Sequence, residues 1–259
     1  MNFDRQLQAL NHIVKDVHHF GIYGHRNEEG TYRIFADGLV GLTFYESEDE
    51  VFFNGHKSAQ LFLYGQTVKP LEITYRSGFS VIVVYLQPYA IRYLFGIDAS
   101  LLTDTCLDFT LINNQLTHDL LSAEGTACRI ELLLNYLLKK SESLKKPPDE
   151  RMVWATDKII RESGRISIAS LQRELFLSER TFERQFLKTV GVTPSTFSKI
   201  CRFNTAMNVL KNKNFTNLTG IAYEAGYSDQ SHFIRNFKEF TSLTPSQYIS
   251  QIKSMADPV

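Results

Sequence analysis

Residues 182–197, Phe-Glu-Arg-Gln-Phe-Leu-Lys-Thr-Val-Gly-Val-Thr-Pro-Ser-Thr-Phe, recur 51 positions later as residues 233–248, Phe-Ile-Arg-Asn-Phe-Lys-Glu-Phe-Thr-Ser-Leu-Thr-Pro-Ser-Gln-Tyr. Six of the sixteen positions are identical: Phe182/Phe233, Arg184/Arg235, Phe186/Phe237, Thr193/Thr244, Pro194/Pro245 and Ser195/Ser246. Phe197 and Tyr248 add a further shared aromatic position. One supersecondary unit is therefore present twice. On a helix, two aromatics at i and i+4 lie on one face and are buried together, while the arginine between them, about 200° from the first, faces solvent. Two exposed arginines on two equivalent helices call for one elongated anionic partner.

The repeat sits in a run of helical patterns over residues 151–163, 168–175, 179–190, 195–211, 217–225, 229–240 and 245–254, which predicts an all-α domain. Each copy reads as a helix, a short turn and a second helix with a polar start. In the first, Leu171 and Leu175 lie on the leading helix, Ser178 caps the next, and Phe182, Phe186, Leu187 and Val190 are its buried side. In the second, Ile221, Ala222 and Ala225 lead, Gly226 closes the helix, and Asp229 caps the one carrying Phe233, Ile234, Phe237 and Phe240. Such a pair is a helix-turn-helix, whose second helix enters the DNA major groove with its amino-terminal end against the bases. The predicted exposed faces are Arg180, Thr181, Glu183, Arg184 and Lys188 in the first copy and Gln230, Ser231, His232, Arg235 and Asn236 in the second. Arginine suits bidentate contact with guanine, Gln and Asn suit adenine, and Glu accepts from cytosine.

Charge agrees with that partner. Residues 1–150 hold 13 Lys/Arg against 19 Asp/Glu, net −6, whereas residues 151–259 hold 15 against 9, net +6. Lys145-Lys146-Pro147-Pro148-Asp149 breaks the helical pattern where the balance changes, so the expected domains are 1–146 and 147–259. The longest apolar runs, such as Val81–Leu86, are too short to span a bilayer, and Met-Asn-Phe-Asp-Arg is not the start of a secretion signal, so a cytoplasmic protein is expected. Cys106, Cys128 and Cys201 are widely spaced and odd in number, as reduced thiols are.

The amino-terminal half opens with an expected amphipathic helix over residues 1 to about 20, through Leu7, Leu10, Ile13, Val14 and Val17. From Gly21 to Leu86 come short β-prone runs, at 32–35, 39–45, 61–64, 71–75 and 79–86, separated by turn residues such as Ala36-Asp37-Gly38, which predicts an antiparallel barrel or sandwich. Pro88 suits the first turn of a helix ending at Phe95, and helices resume near Asn114. Ile130, Leu133, Leu134, Leu137 and Leu138 make one apolar stripe, to be covered by the same domain or by a second copy. His18, His19, His25 and His56 lack the close His-x-His pair with a carboxylate that a metallocupin needs, so no metal and no other cofactor is expected.

These residues resemble a known family. Residues 166–252 are similar to the DNA-binding domain of AraC/XylS-type transcription regulators, two helix-turn-helix units joined by a linker helix. Residues 174–186, from Glu174 to Phe186, resemble the first unit, and residues 221–237 followed by Thr244-Pro245 the more specific second. The resemblance implies base contact by Arg180, Glu183 and Arg184 in one unit and by Gln230, Ser231, His232 and Arg235 in the other. Gln172-Arg173, in place of a small alanine, and Ser242, in place of a frequent glycine, depart from the pattern. The motifs Arg33–Gly38, Tyr64-Gly65-Gln66 and Leu86–Tyr89 resemble the cupin-like barrels that precede this domain in some members as sensor or dimerisation modules.

The expected class is therefore α+β, with a cupin-like antiparallel β-barrel bearing helices and an all-α domain of two helix-turn-helix units. The implied function is a non-enzymatic, sequence-specific DNA-binding transcription regulator, activator or repressor, controlled by an effector through the barrel. Its implied partners are duplex DNA, RNA polymerase, a small-molecule effector in the barrel and a second copy through residues 130–138. A cupin-type enzyme with a DNA-binding tail and a protein-interaction scaffold are the rival classes; bound metal would mark the first, and salt-insensitive behaviour towards duplex the second.

Overall fold

The computed structural model describes residues 3–22, 30–211 and 217–256. In chain order the first half comprises α1 (Phe3–Leu10), β1 (Val14–Ile22), β2 (Gly30–Ile34), β3 (Val40–Ser47), β4 (Phe52–Phe53), β5 (His56–Lys57), β6 (Leu61–Tyr64), β7 (Leu71–Tyr75), β8 (Phe79–Leu86), α2 (Ala90–Phe95), a single 3-10 turn (Ala99–Leu102), β9 (Cys106–Asp108), α3 (Thr110–Ser122) and α4 (Thr126–Glu142). The second half is helical: α5 (Glu150–Arg161), α6 (Ile168–Glu174), α7 (Glu179–Val190), α8 (Pro194–Lys211), α9 (Leu218–Glu224), α10 (Gln230–Thr241) and α11 (Pro245–Ala256).

The strands do not close into a barrel. They form two antiparallel sheets, one in the order β1-β8-β3-β6-β9 and one in the order β2-β7-β4-β5. The first is covered on both faces, which is why β8 reads as an unbroken apolar run. Ile82, Val84 and Leu86 pack outward against the helices, while Phe79, Val81 and Val83 face inward with Tyr45, Phe62 and Ile73. The expected helix over residues 1–20 stops at Leu10. Val14 and Val17 fit helical spacing, but Val14 pairs with Leu86 and Val17 with Val84, so that hydrogen bonding along the central strand outweighs the helical period there. Helix α2 begins two residues beyond Pro88, and β9, which pairs with β6, precedes the helices expected from Asn114.

The leucine stripe of α4 is covered from within. Leu133, Leu134 and Leu137 are fully buried in the core shared with Leu10, Val84, Leu86 and Leu120. These three leucines therefore have no face left for a second copy, and of the expected seam at 130–138 only Ile130 and Leu138 are partly exposed. Arg129, on the same helix, grips both carboxylate oxygens of Glu46 at the end of β3, with Nη2 2.6 Å from Oε1.

The second half packs around phenylalanines. Phe182, Phe186, Phe197, Phe203, Phe233, Phe237 and Phe240 each expose at most 1% of their surface. Phe186 tilts against Phe197 at 5.8 Å and Phe203 against Phe237 at 5.4 Å, so both units share α8 as their common wall. The amino-terminal half reaches into this core. Ala36 is buried in it, and Phe35 meets Tyr248 edge to face at 6.0 Å. Asn204 Nδ2 of α8 donates to the Asp37 carbonyl at 2.5 Å, and Thr103 Oγ1 donates to the Gly191 carbonyl at the end of α7 at 2.6 Å.

Candidate nucleic-acid interface

Each reading helix is started by the side chain expected from the sequence. Ser178 Oγ accepts from Thr181 N at 3.3 Å and opens α7; Asp229 Oδ1 accepts from His232 N at 2.8 Å and opens α10. The turns before them differ. Gly226 takes a φ of 80° after α9, whereas the corresponding residue after α6 is Phe176, with a φ of 54° and 95% of its surface exposed. At Gly226 a Cβ would lie 2.4 Å from Arg165 Cγ, so that turn is closed to larger residues; the first is open, and tolerates an aromatic in a left-handed conformation.

The repeat arginines behave as a pair. Arg184 and Arg235 are both exposed, on the faces opposite Phe186 and Phe237. Arg180 and Glu183 are exposed on α7, and Ser231 on α10. Thr181 is half-buried and accepts a hydrogen bond from Ser178 Oγ at 2.9 Å. Gln230 is half-buried and accepts from Thr219 Oγ1 at 2.8 Å. His232 is half-buried against Tyr227, with ring centroids 5.3 Å apart and a ring nitrogen 3.3 Å from Ser228 Oγ. Burial first, and then Arg202 and Arg235, hold its pKa below the usual imidazole value, so at neutral pH it presents a neutral ring.

One expected residue falls outside this face. Asn236 is only 5% exposed, and its side-chain carbonyl is buried without a partner among the described residues. It follows Arg235 by one position, a rotation of about 100°, which carries it onto the packed side. Lys188 is exposed as expected, in the last turn of α7 and one turn beyond Arg184, where it also borders a cleft with Tyr89, Arg92 and residues 144–149.

A cavity of about 620 Å³ lies between the two sheets. Its wall is largely aromatic, including Phe20, Tyr45, Phe53, Phe62, Phe79 and Tyr85. Asp37 also faces it, its carboxyl accepting one hydrogen bond from Leu39 N at 2.9 Å. Burial pushes that carboxyl up to about 6, against the pull of the Leu39 amide and of Lys15 and Lys211. Burial, with Asp37 nearby, likewise raises the phenols of Tyr64 and Tyr85. The sequence offered Asp37 only as a turn residue in a barrel motif; its place at the cavity wall comes from strands distant in sequence. The candidate histidines do not assemble. His18 bonds Asp16 at 2.8 Å, His19 bonds Ser80 at 2.9 Å, His56 lines the cavity, and His25 lies outside the described residues. Among the described residues no three His, Cys, Asp or Glu side chains come together as a metal site, and no helix is long and apolar enough to cross a membrane.

Comparison with known proteins agrees with the double unit. Residues 171–251 match the family model described as a helix-turn-helix domain, and residues 6–108 match a domain of unknown function, DUF6597. The chain is 28% identical over 136 residues to the HTH-type transcriptional activator RhaS of Enterobacter sp. (strain 638), covering 52% of this chain and 48% of that protein. It is 35% identical over 72 residues to an uncharacterized HTH-type transcriptional regulator of Haemophilus influenzae, covering 28% and 24% of the two chains. The chain thus spans about half or less of the length of these curated relatives. In fold it is similar to ToxT from Vibrio cholerae O395, with a TM-score of 0.50 and 14% identity over 91% of this chain and 97% of that one. The capped, repeated helix-turn-helix units and their matched family model together make residues 171–251 a helix-turn-helix domain similar to those of the AraC/XylS-type transcription regulators.

Proposed function

We propose that α7 and α10 insert their amino-terminal ends into duplex DNA, with Arg180, Glu183 and Arg184 from one unit and Gln230, Ser231, His232 and Arg235 from the other directed at the bases. The carrying observation is the duplicated arrangement itself, with Arg184 and Arg235 exposed on equivalent faces and each flanked by a buried phenylalanine pair. Residues 147–259 form the DNA-binding part and residues 1–146 the sensor part, with the intersheet cavity as the place for a small-molecule effector. The protein acts in the cytoplasm, without catalysis, as an activator that contacts RNA polymerase; the RhaS relatives, called activators, support that direction.

Binding to duplex DNA selected from genomic fragments tests the reading. Arg184→Ala and Arg235→Ala are each expected to cost about 1–3 kcal/mol of specific affinity at fixed salt, with unchanged melting temperatures. Wild-type affinity is expected to fall steeply with salt as phosphate counterions compete. Two mutants that bind as tightly as wild type remove these arginines from the interface.

A further inference from the structure

We propose that the intersheet cavity receives a hydrophobic amine, its ammonium group seated on the Asp37 carboxylate among aromatic rings, and that the turn at residues 36–38 passes occupancy to α8. This deepens the effector reading above and rests on it.

The chemistry of the wall selects the ligand. At about 620 Å³ the cavity has the size of a small-molecule site, and its aromatic lining favours an apolar body. Among the charged groups that line it, most are already engaged. Lys57 Nζ lies 2.5 Å from Glu50, Asp104 accepts from Val68 N at 2.7 Å and Lys69 N at 3.0 Å, and Asp108 accepts from Thr110 N at 2.9 Å. Asp37 is different. Leu39 N is its one hydrogen-bond donor from another described residue, although a carboxylate accepts several bonds. Asp37 is half-buried at the wall of an apolar cavity, where an ionised group with so few donors is costly, and its raised pKa agrees with that. An ammonium group supplies both the missing donors and the missing charge, and the ring faces around it, such as those of Tyr64 and Tyr85, stabilise a cation further. A carboxylate ligand meets the reverse situation, because the cavity's lysine is already paired with Glu50.

The same turn touches the DNA-binding half. The Asp37 side chain faces the cavity while its own carbonyl accepts from Asn204 on α8. On either side, Ala36 is buried in the helical core and Gly38, with a φ of 71°, passes so close that a Cβ would lie 3.3 Å from Ile200. A ligand that moves Asp37 by a fraction of an ångström therefore bears directly on the helix joining the two units. Coupling of this kind is reciprocal, so DNA and amine alter each other's affinity by the same factor.

Calorimetric titration of the full chain at pH 7.5 with 1-naphthylmethylamine, 1-naphthylmethanol and 1-naphthoate tests the ligand class. The amine is expected to bind at least tenfold more tightly than the alcohol, and the acid most weakly. Asp37→Asn should reduce the amine to the affinity of the alcohol and leave the alcohol unchanged, with melting curves confirming an intact fold. Equal binding of amine and alcohol to wild type, an amine preference that survives Asp37→Asn, or no heat from this amine, tryptamine or cyclohexylmethylamine up to millimolar concentration each overturns the assignment. A preference for naphthoate overturns it too, yet leaves the effector reading standing. Asn204→Ala should keep amine affinity while abolishing the effect of the amine on binding to the selected duplex; an effect that persists in that variant overturns the route through the turn. DNA affinity of the ligand-free protein, measured in the same series, tests the DNA-binding reading separately.

Discussion

At the scale of single residues, Asp37 carries a measurable pH dependence. Its carboxyl is raised from 3.8 to about 6, so the fold holds that proton more tightly than the unfolded chain does. The stabilisation from the proton is fully present below about pH 4 and is lost as pH rises through about 6. Asp37→Asn removes the titration. Relative to the variant, wild type is expected to lose up to about 3 kcal/mol between pH 4 and pH 7, a figure that follows from a shift of roughly two pK units. Parallel melting-temperature profiles for the two proteins across that range would contradict the burial assigned to this carboxyl. A second residue, Ser242, explains one departure from the family pattern. It ends α10 with a φ of 61°, the left-handed position that Gly191 fills after α7, so its glycine-like role was legible while the residue type was not.

Among the elements, α4 shows what an apolar stripe can and cannot say. The spacing of Ile130 to Leu138 identified a buried helical face correctly, but the same pattern arises against a domain's own sheet or against a second copy. The structure settles it by the covering residues, Leu10, Val84, Leu86 and Leu120. Leu134→Glu is therefore expected to unfold the amino-terminal half by burying an unpartnered carboxylate, and sedimentation should find aggregated or expanded material; a folded, cooperative monomer would contradict the core position. The carboxy-terminal helices were legible nearly residue by residue, because caps, i,i+4 phenylalanines and the repeat are local signals. β1 and β9 were not. Their pairing with β8 and β6 is decided by partners far along the chain, and Val14 and Val17 satisfy helix and strand periods alike. The reading faces fared better: Arg184, Lys188 and Arg235 emerged exposed as expected, whereas Asn236 turned inward.

Taken whole, the molecule is two opposite charge systems, net −6 and +6, joined where residues 35–38 enter the helical core and where Thr103 meets the end of α7. That joint predicts one unfolding unit. Gly38→Val places a branched side chain at a φ of 71° within reach of Ile200 and is expected to loosen the coupling of the halves and split a single calorimetric transition into two, as they lose one of their shared contacts. One transition with an unchanged midpoint would show that the joint adds little to cooperativity. Helix α8, 18 residues and therefore about 27 Å long, is fixed at Asn204 by the amino-terminal half and at both ends by the units it separates. A strut so held has little freedom to follow a changed operator. Each base pair inserted between two half-sites turns the second about 34° around the DNA axis, and five place it on the far side of the duplex, so this protein should be strict about the helical phase of its operator as well as about its sequence.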